Sequence, residues 1–268
     1  MQVTVLGTSV GAPLGAPCSG YLVRSGRTRV LLDCGPGVAG TLWQHDVLGR
    51  LDAVVLSHAH ADHLWDVPLL ASGVVRIALD RRHGARRRPR LLLPSPGTRP
   101  VLDALATTVG WSATALDDAF DVEEPALDGT VDVGDLELRF APTAHPVPCA
   151  AIRVEGRGAT LAYGADGEAS DELTALCRDA DLALLEATFV DDDPLRAQHG
   201  HMTGEQAAGV ARDAAVRRLL LTHMQPWSED HAENLRRASQ VLPGRVGLAQ
   251  AGRTYPVGTA APRPVRAA

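Results

Sequence analysis

The chain has 268 residues, of which 45% are apolar and 22% charged, and its formal net charge at pH 7 is −6. These values are ordinary for a globular protein with a sizeable core, and the acidic balance argues against general affinity for nucleic acids or acidic membranes. The chain has no lysine and no GxSxG elbow, which excludes a phosphate-loop lysine, a Schiff base, a Ser–Lys pair and an elbow serine.

The N-terminus and the cysteines indicate where the protein is located. The chain begins with a strand-like run, MQVTVLG, without the basic and apolar regions of a signal peptide, and no apolar stretch has the length of a membrane span. The cysteines form no CxxC pair and no repeated spacing, which is typical of reduced thiols; they are Cys18, Cys34, Cys149 and Cys177. We therefore predict a cytoplasmic protein with no membrane segment.

The first half of the chain is predicted to contain short strands joined by glycine and proline turns. The runs QVTVLG, GYLVRSG and RTRVLLD are strand-like, and a helix is predicted at residues 42–48. LDAVVLS is then a buried strand that ends at a group of histidines. The segment after His63 is a predicted helix limited by Pro68, RLLLPSPG is a strand, and VLDALATTVG is a helix that ends at Gly110.

The second half again places strands before helices. GTVDVGDLELRFAPTAH predicts two strands that end at His145, and a hairpin with its turn at Gly156–Gly158 follows. Ser170 is a predicted helix N-cap, and DLALLEATF is the next strand. RLLLTH is a final strand that ends at His223.

Capping and composition set the last boundaries. Thr203 and Gln206 have capping-box spacing and are predicted to open a helix that extends to Arg218. Residues 1–255 are predicted to form one α/β domain, and residues 256–268, rich in proline and alanine, a disordered tail.

The stretch SHAHADH, residues 57–63, places three histidines and an aspartate within seven residues. Imidazoles at this density repel one another when protonated and help neither a core nor a helix, whereas neutral imidazoles and carboxylates are ligands of divalent metals. Further histidines and aspartates follow later predicted strands, where loops above a rigid sheet carry functional groups. The sequence therefore predicts seven ligands for two metal ions: His58, His60, Asp62, His63, His145, Asp166 and His223.

HAHADH matches the HxHxDH motif of the metallo-β-lactamase fold, and the later ligands follow in the same chain order. The resemblance extends from residue 3 to about residue 255 and implies an α/β protein, an αββα sandwich of two mixed sheets flanked by helices. It also implies a ligand assignment, with Asp166 bridging two metals that are held by His58, His60 and His145 and by Asp62, His63 and His223. Zinc is the expected metal, with manganese or iron as alternatives for the same donors.

Within this fold the chain is most similar to ribonuclease Z-like phosphodiesterases. LAYGAD resembles their Tyr-Ser-Gly-Asp strand, LLEATF their His-Glu-Ala-Thr segment and HGHMTGEQAA their His-Ser-Thr loop, although Leu185 replaces a histidine and Met202 a serine. The resemblance implies a proton relay of Asp62, Glu186 and His201. A water bridging two metals about 3.5–4 Å apart would attack the phosphodiester, and His201 would protonate the leaving alkoxide. Asp33 is a candidate to orient a ligand imidazole, or to be structural.

The expected substrate is a small, anionic phosphodiester such as a cyclic nucleotide. Ribonuclease Z carries a tRNA-gripping arm between the counterparts of His145 and Asp166, where this chain has only 21 residues, enough for a hairpin. The arginines between Arg81 and Arg90 are expected to form a solvated loop, so nucleic acid is not an expected partner. The armless layout and the stretches LLTHMQPW and ASGVV are also similar to atypical bacterial cyclic-AMP phosphodiesterases.

Other functions remain open at this stage. A lactone, ester or thioester hydrolase that tailors a natural product would use the same metals, and a tRNA 3′-processing endoribonuclease is a further alternative. A binding or scaffolding subunit is disfavoured because none of the seven ligands is missing. Trp65 and Trp227 are expected to pack in the core, with stacking on a base as the alternative. The resemblance also implies a homodimer.

Overall fold

The computed structural model describes residues 1–11, 16–45, 48–79, 87–112, 114–190, 200–225 and 228–258. Two seven-stranded mixed sheets lie face to face. The first contains β1 (Gln2–Gly7), β2 (Gly20–Ser25), β3 (Thr28–Leu32), β4 (Ala53–Val55), β5 (Arg90–Leu92), β6 (Asp121–Glu123) and β14 (Thr254–Pro256), in the order β14-β1-β2-β3-β4-β5-β6. The second contains β7 (Thr130–Val133), β8 (Leu136–Pro142), β9 (Ala150–Gly156), β10 (Ala159–Tyr163), β11 (Leu182–Glu186), β12 (Leu219–Thr222) and β13 (Val246–Leu248), in the order β13-β12-β11-β10-β9-β8-β7.

Helices cover the outer face of each sheet. Those on the first sheet are α1 (Val38–Gln44), α2 (Ala61–Leu64), α3 (Val67–Leu79), α4 (Thr98–Thr108) and α5 (Ala115–Ala119), with a 3₁₀ turn at Leu48–Arg50. Those on the second are α6 (Asp171–Cys177), α7 (Gly204–Asp213) and α8 (Ser228–Val241). The predicted αββα sandwich is therefore confirmed.

The strands show why the sheets are buried on both faces. Along β2 and β3, Tyr21 and Val30 point into the core between the sheets, while Leu22 and Leu31 point to the helix layer, as the two-residue period of a strand requires. Parallel strands between two apolar layers are apolar along their whole length, which accounts for runs such as LALLE in β11.

The two sheets have the same kinds of pairing. In the first, β14, β1, β2 and β3 pair antiparallel and β3, β4, β5 and β6 pair parallel. In the second, β7, β8, β9 and β10 pair antiparallel and β10, β11, β12 and β13 pair parallel. The two halves of the chain thus resemble each other in the topology of their sheets. The carboxyl ends of the parallel strands meet at one edge of each sheet, where loops can carry a site.

Several local predictions are confirmed. The β9–β10 hairpin turns at Arg157–Gly158, Ser170 caps α6 by accepting from the Leu173 N–H, and Thr203 and Gln206 form a capping box. The predicted helix after His63 is two helices, α2 and α3, and Pro68 lies in the first turn of α3, where its missing N–H is tolerated.

Other boundaries differ from the predictions. Helix α1 begins at Val38 and not at residue 42, and α7 ends at Asp213 and not at Arg218, because Ala215 has a left-handed backbone (φ 55°) that a helix cannot continue. The elements that the sequence reading missed are α5, α8, β6, β13 and β14. The three strands have only three residues each, and α8 consists mostly of polar residues, so none of them contains a conspicuous apolar run.

The C-terminal strand reaches into the predicted tail. Pro256, where that tail was expected to begin, pairs with Gln2, and the Val257 N–H donates to the Met1 carbonyl. Residues 259–268 of the predicted tail lie outside the described residues. Among the helices that the structure describes, none combines the length and apolarity needed to cross a membrane.

Candidate metal centre

The predicted ligands meet at one edge of the sandwich because each follows the end of a strand. The loop after β4 carries His58 and His60 into α2, and His145 follows β8. Asp166 follows β10, and His223 directly follows β12. The single turn of α2 carries the remaining two, Asp62 and His63. All seven predicted ligands are thus brought together, and their binding of metal remains a prediction.

Four side chains form a first donor cluster. His58, His60, His145 and Asp166 each offer one donor atom, and these atoms all lie within 4.8 Å of one another. His145 Nε2 is 3.1 Å from His60 Nδ1, and His58 Nε2 is 3.5 Å from Asp166 Oδ2.

A second cluster contains Asp62, His63 and His223, again with donor atoms within 4.8 Å of one another. His223 Nε2 lies 3.1 Å from His63 Nε2 and 3.2 Å from Asp62 Oδ2. Asp166 joins the clusters, because its Oδ1 atom lies 3.3 Å from His63 Nε2 and 3.5 Å from His223 Nε2 while its Oδ2 atom faces His58.

The donor set fits divalent cations. His58 Nε2 and Asp166 Oδ1 are buried and have no hydrogen-bond partner among the described residues, although an unsatisfied buried polar atom costs free energy. Both atoms point into the clusters, where a cation would satisfy them. Imidazole nitrogen and carboxylate oxygen are the donors that zinc and related metals take in proteins.

Protonation of the clusters is set by burial and by neighbouring charges. Burial lowers the pKa of His58 well below its usual value and also lowers the pKa of His60 and His145, so these rings are neutral, as metal ligands must be. Burial opposes ionisation of Asp166, but His223, His63 and His58 hold its pKa well below the usual range. Burial also opposes the charge on His63, yet Asp166 and Asp33 raise its pKa, so a cation must displace a proton there.

Hydrogen bonds from the far side of the rings fix their orientation. Asp33 Oδ2 lies 2.8 Å from His63 Nδ1, so the predicted candidate Asp33 does contact a ligand imidazole. The Asp33 carboxylate also accepts from the Ser57 N–H, the Ser57 hydroxyl and the Tyr163 hydroxyl. These contacts fix the position of the Asp33 carboxylate, and its contact with Nδ1 of His63 leaves Nε2 to face the cluster.

His201 and Glu186 lie beside the clusters as a hydrogen-bonded pair. His201 Nδ1 is 2.8 Å from Glu186 Oε1, and the buried Glu186 also accepts from the Gly167 N–H at 2.8 Å and the Met202 N–H at 3.2 Å. Burial lowers the pKa of His201, but the hydrogen bond and charge of Glu186 more than offset this and raise it. A ring with a raised pKa that remains partly exposed is suited to donate a proton.

The contacts of Asp62 and His201 bear on the predicted proton relay. The third predicted member, Asp62, faces His223 and the Gly11 N–H rather than the pair. His201 also offers a ring nitrogen within 4.8 Å of donor atoms on Asp166 and His223, so its position suits either a proton donor or a ligand. The metal content of a His201 variant separates these roles.

Gly200, a residue that was not predicted from the sequence, anchors the loop that carries His201 through two backbone hydrogen bonds. The Gly200 N–H donates to Glu168 Oε1 at 2.9 Å, and its carbonyl lies 2.8 Å from His145 Nδ1. Gly200 has φ 87°, and a Cβ there would lie 2.3 Å from Pro146 Cδ. The signal in the sequence was a glycine between two histidines, HGH, in a loop with no regular pattern.

The remaining predicted features lie away from the clusters or outside the described residues. Arg90 lies beside Ala53, the first residue of β4, whereas His58 and His60 follow the last residue of that strand, so Arg90 is at the opposite end of the sheet. The Arg90 side chain forms an ion pair with Glu123. Arg88 pairs with Asp121, and the positions 81, 82 and 86 of the arginine cluster are outside the described residues. Trp65 is 53% exposed, so the expectation of core packing was wrong for it, and residue 227 is outside the described residues.

Comparison with known proteins identifies the family. Residues 28–224, more than half of the chain, match the family model described as the β-lactamase superfamily domain. The chain belongs to the β-lactamase superfamily. This superfamily member is 35% identical over 262 residues to an uncharacterised protein of Mycobacterium leprae, covering 96% of this chain and 89% of the relative.

Two further relatives have informative names. The chain is 33% identical over 256 residues to the probable metallo-hydrolase YhfI of Bacillus subtilis, covering 94% of this chain and 98% of the relative. It is 29% identical over 276 residues to the ribonuclease Z of Streptomyces coelicolor, covering 88% of this chain and 91% of the relative. The predicted relation to ribonuclease Z-like proteins is confirmed.

Solved structures show the same fold. The crystal structure of YhfI, a metallo-β-lactamase fold protein, has a TM-score of 0.81 at 28% identity and covers 96% of this chain and 98% of YhfI. The short form of human tRNase Z has a TM-score of 0.74 at 22% identity and covers 96% of this chain and 100% of tRNase Z. At this identity the likeness shows the fold alone. Superfamily membership and the His/Asp clusters together indicate a hydrolase that uses divalent metal ions.

Proposed function

We propose that this superfamily member is a dinuclear metal-dependent phosphodiesterase that acts on small phosphodiesters, with a cyclic nucleotide as the leading candidate. The observation that carries the proposal is a pair of donor clusters joined by Asp166, with the His201–Glu186 pair beside both of them. A phosphodiester needs positive charge at its non-bridging oxygens and a proton at its leaving oxygen; metal ions bound at the clusters would supply the charge, and His201 would supply the proton.

The clusters would each hold one metal ion. His58, His60 and His145 would bind the first and Asp62, His63 and His223 the second, with Asp166 shared between them. We propose zinc as the metal, with manganese or iron as alternatives for the same donors. When bound, two such ions activate a water as nucleophile and neutralise charge on the phosphate.

His201 would donate the proton to the leaving alkoxide. Glu186 occupies its Nδ1 side, which leaves Nε2 to act as the donor atom, and the backbone N–H groups of Gly167 and Met202 hold the carboxylate in place. Glu186 thus orients the ring and stabilises its charge. Since the proton must reach one oxygen of the substrate, a fixed ring favours the transfer.

The short hairpin between His145 and Asp166 and the pairing of Arg88 and Arg90 favour a small substrate over tRNA. Between His145 and Asp166 the chain forms only β9, β10 and their tight turn, with no projecting arm. The side chains of Arg88 and Arg90 are paired with acids at the far edge of the sheet, and affinity for long RNA comes mainly from neutralised phosphates. The relative named ribonuclease Z supports phosphodiester chemistry as the reaction class.

The deciding measurement is kcat/KM on a substrate panel with protein purified without chelator. The panel contains cyclic AMP, cyclic GMP, bis(p-nitrophenyl) phosphate, a precursor tRNA, lactones and thioesters. We expect the small phosphodiesters to be the best substrates. Efficient cleavage of the tRNA, or turnover confined to lactones or thioesters, would overturn the proposal. A homodimer, the assembly expected from the resemblance, is tested by light scattering on the same preparation.

A further inference from the structure

Thr188 lies at the junction between the second donor cluster and the His201–Glu186 pair. It follows β11 by two residues and is buried. Its hydroxyl oxygen is 2.6 Å from Glu186 Oε2, 3.0 Å from His223 Nδ1 and 2.9 Å from the His223 carbonyl oxygen. One side chain therefore contacts both the ring and the backbone of a predicted metal ligand.

The direction of these hydrogen bonds follows from counting protons. A hydroxyl has one proton, and Glu186 Oε2 and the His223 carbonyl oxygen are both acceptors beside it, so the Thr188 proton is donated to one of them, the closer being Glu186 Oε2. The 3.0 Å contact with His223 then requires that Nδ1 carries the proton and donates to the hydroxyl oxygen. His223 Nε2 is left without a proton, and this is the nitrogen that faces Asp62, His63 and Asp166.

Thr188 also contacts the backbone of His223. His223 has φ 49°, a left-handed conformation that residues with a side chain disfavour. The Thr188 hydroxyl oxygen also lies 2.9 Å from the carbonyl oxygen of this left-handed residue. The same side chain therefore contacts His223 at both its ring and its backbone carbonyl.

We propose that Thr188 is a positioning residue that sets the tautomer of His223 and holds it for a divalent cation at the Asp62–His63–His223 cluster. The same hydroxyl continues through Glu186 to His201, so one chain of hydrogen bonds joins the cation site to the proposed proton donor. The inference rests on the two-metal site of the proposed function and not on the identity of the substrate.

The test compares Zn²⁺ affinity in variants that keep or remove the hydroxyl. Thr188→Val retains the shape but not the hydrogen bonds, and Thr188→Ser retains the hydroxyl. Thr174→Val is the matched control, because the Thr174 hydroxyl, among the residues that the structure describes, donates to the carbonyl of Ser170, the N-cap of its own helix. Competition with a chelator should show one of the two zinc equivalents weakened about 10–100-fold in Thr188→Val, as for loss of a partner that orients a ligand. Thr188→Ser and Thr174→Val should bind zinc like the wild type.

The outcomes separate this inference from the proposed function. Unchanged zinc affinity in Thr188→Val, or equal weakening in Thr188→Ser, overturns the role of Thr188. If circular dichroism shows that Thr188→Val does not fold, Thr188→Ala against Thr188→Ser decides in the same way. Because no substrate enters the zinc measurement, a wild type that hydrolyses no phosphodiester would refute the proposed function alone. A wild type that binds no second zinc ion would overturn both.

Discussion

Substitution of Gly200 by alanine is expected to damage the site while leaving the fold in place. Gly200 is held on both sides, by Glu168 at its N–H and by His145 at its carbonyl, and it directly precedes His201. Its φ of 87° is a conformation that side chains disfavour, and an added Cβ would lie 2.3 Å from Pro146 Cδ and 3.0 Å from His145 Nδ1. The loop must therefore move away from His145.

The size of the effect follows from these distances. Carbon atoms in contact lie about 3.5–4.0 Å apart, so a 2.3 Å approach to a rigid proline ring requires a shift of roughly 1 Å. A misplacement of that size costs about 10²-fold in rate, and loss of the bond to a metal ligand costs about 10–100-fold in metal affinity or activity. The left-handed backbone costs alanine roughly 1–2 kcal/mol, or about 2–8 °C in Tm for a domain near this size.

We therefore expect Gly200→Ala to fold, to melt slightly earlier, to bind zinc more weakly and to lose about two orders of magnitude in kcat/KM. The matched control is Gly209→Ala, because Gly209 lies within α7 and no atom lies within 4 Å of an added Cβ. That substitution should stabilise the protein by about 0.5–1 kcal/mol and leave kcat/KM unchanged. The measurements are zinc competition, kcat/KM on the best phosphodiester and thermal melting. Zinc affinity and turnover in Gly200→Ala equal to those of the wild type would refute the reasoning.

The remaining predictions concern the ligands, the proton donor and the thiols. His60→Ala should lower the metal content, measured by mass spectrometry, from close to two equivalents in the wild type, and full occupancy would contradict its place in the first cluster. His201→Ala should keep its metals and lose about 10²–10⁴ in turnover; loss of metal would instead make His201 a ligand. Burial raises the pKa of Cys18 to about 11 and that of Cys177 to about 12, so Ellman's reagent at pH 8 should detect no thiol in the folded protein and four after denaturation. Rapid reaction of a folded thiol would contradict this burial.

The donors of the site were predictable because their spacing is local. In SHAHADH, a loop that leaves a strand and enters a one-turn helix brings His58, His60 and His63 to one edge whatever the rest of the chain does. The later donors were found for a related reason, since each ends or follows a strand that its apolar run already marks. The caps at Ser170 and Thr203 were found because an N-cap bonds within three residues.

The sequence by itself thus determined the chemistry of the donors, most of the strands and the family, while the tertiary structure alone decided how the donors are held. The hydrogen bonds that orient the rings join residues far apart in the chain: Asp33 with His63, Tyr163 with Asp33, Gly200 with His145, and Thr188 with His223. Such a bond exists only when strand register and loop path bring two atoms within about 3 Å, a condition that no local pattern encodes.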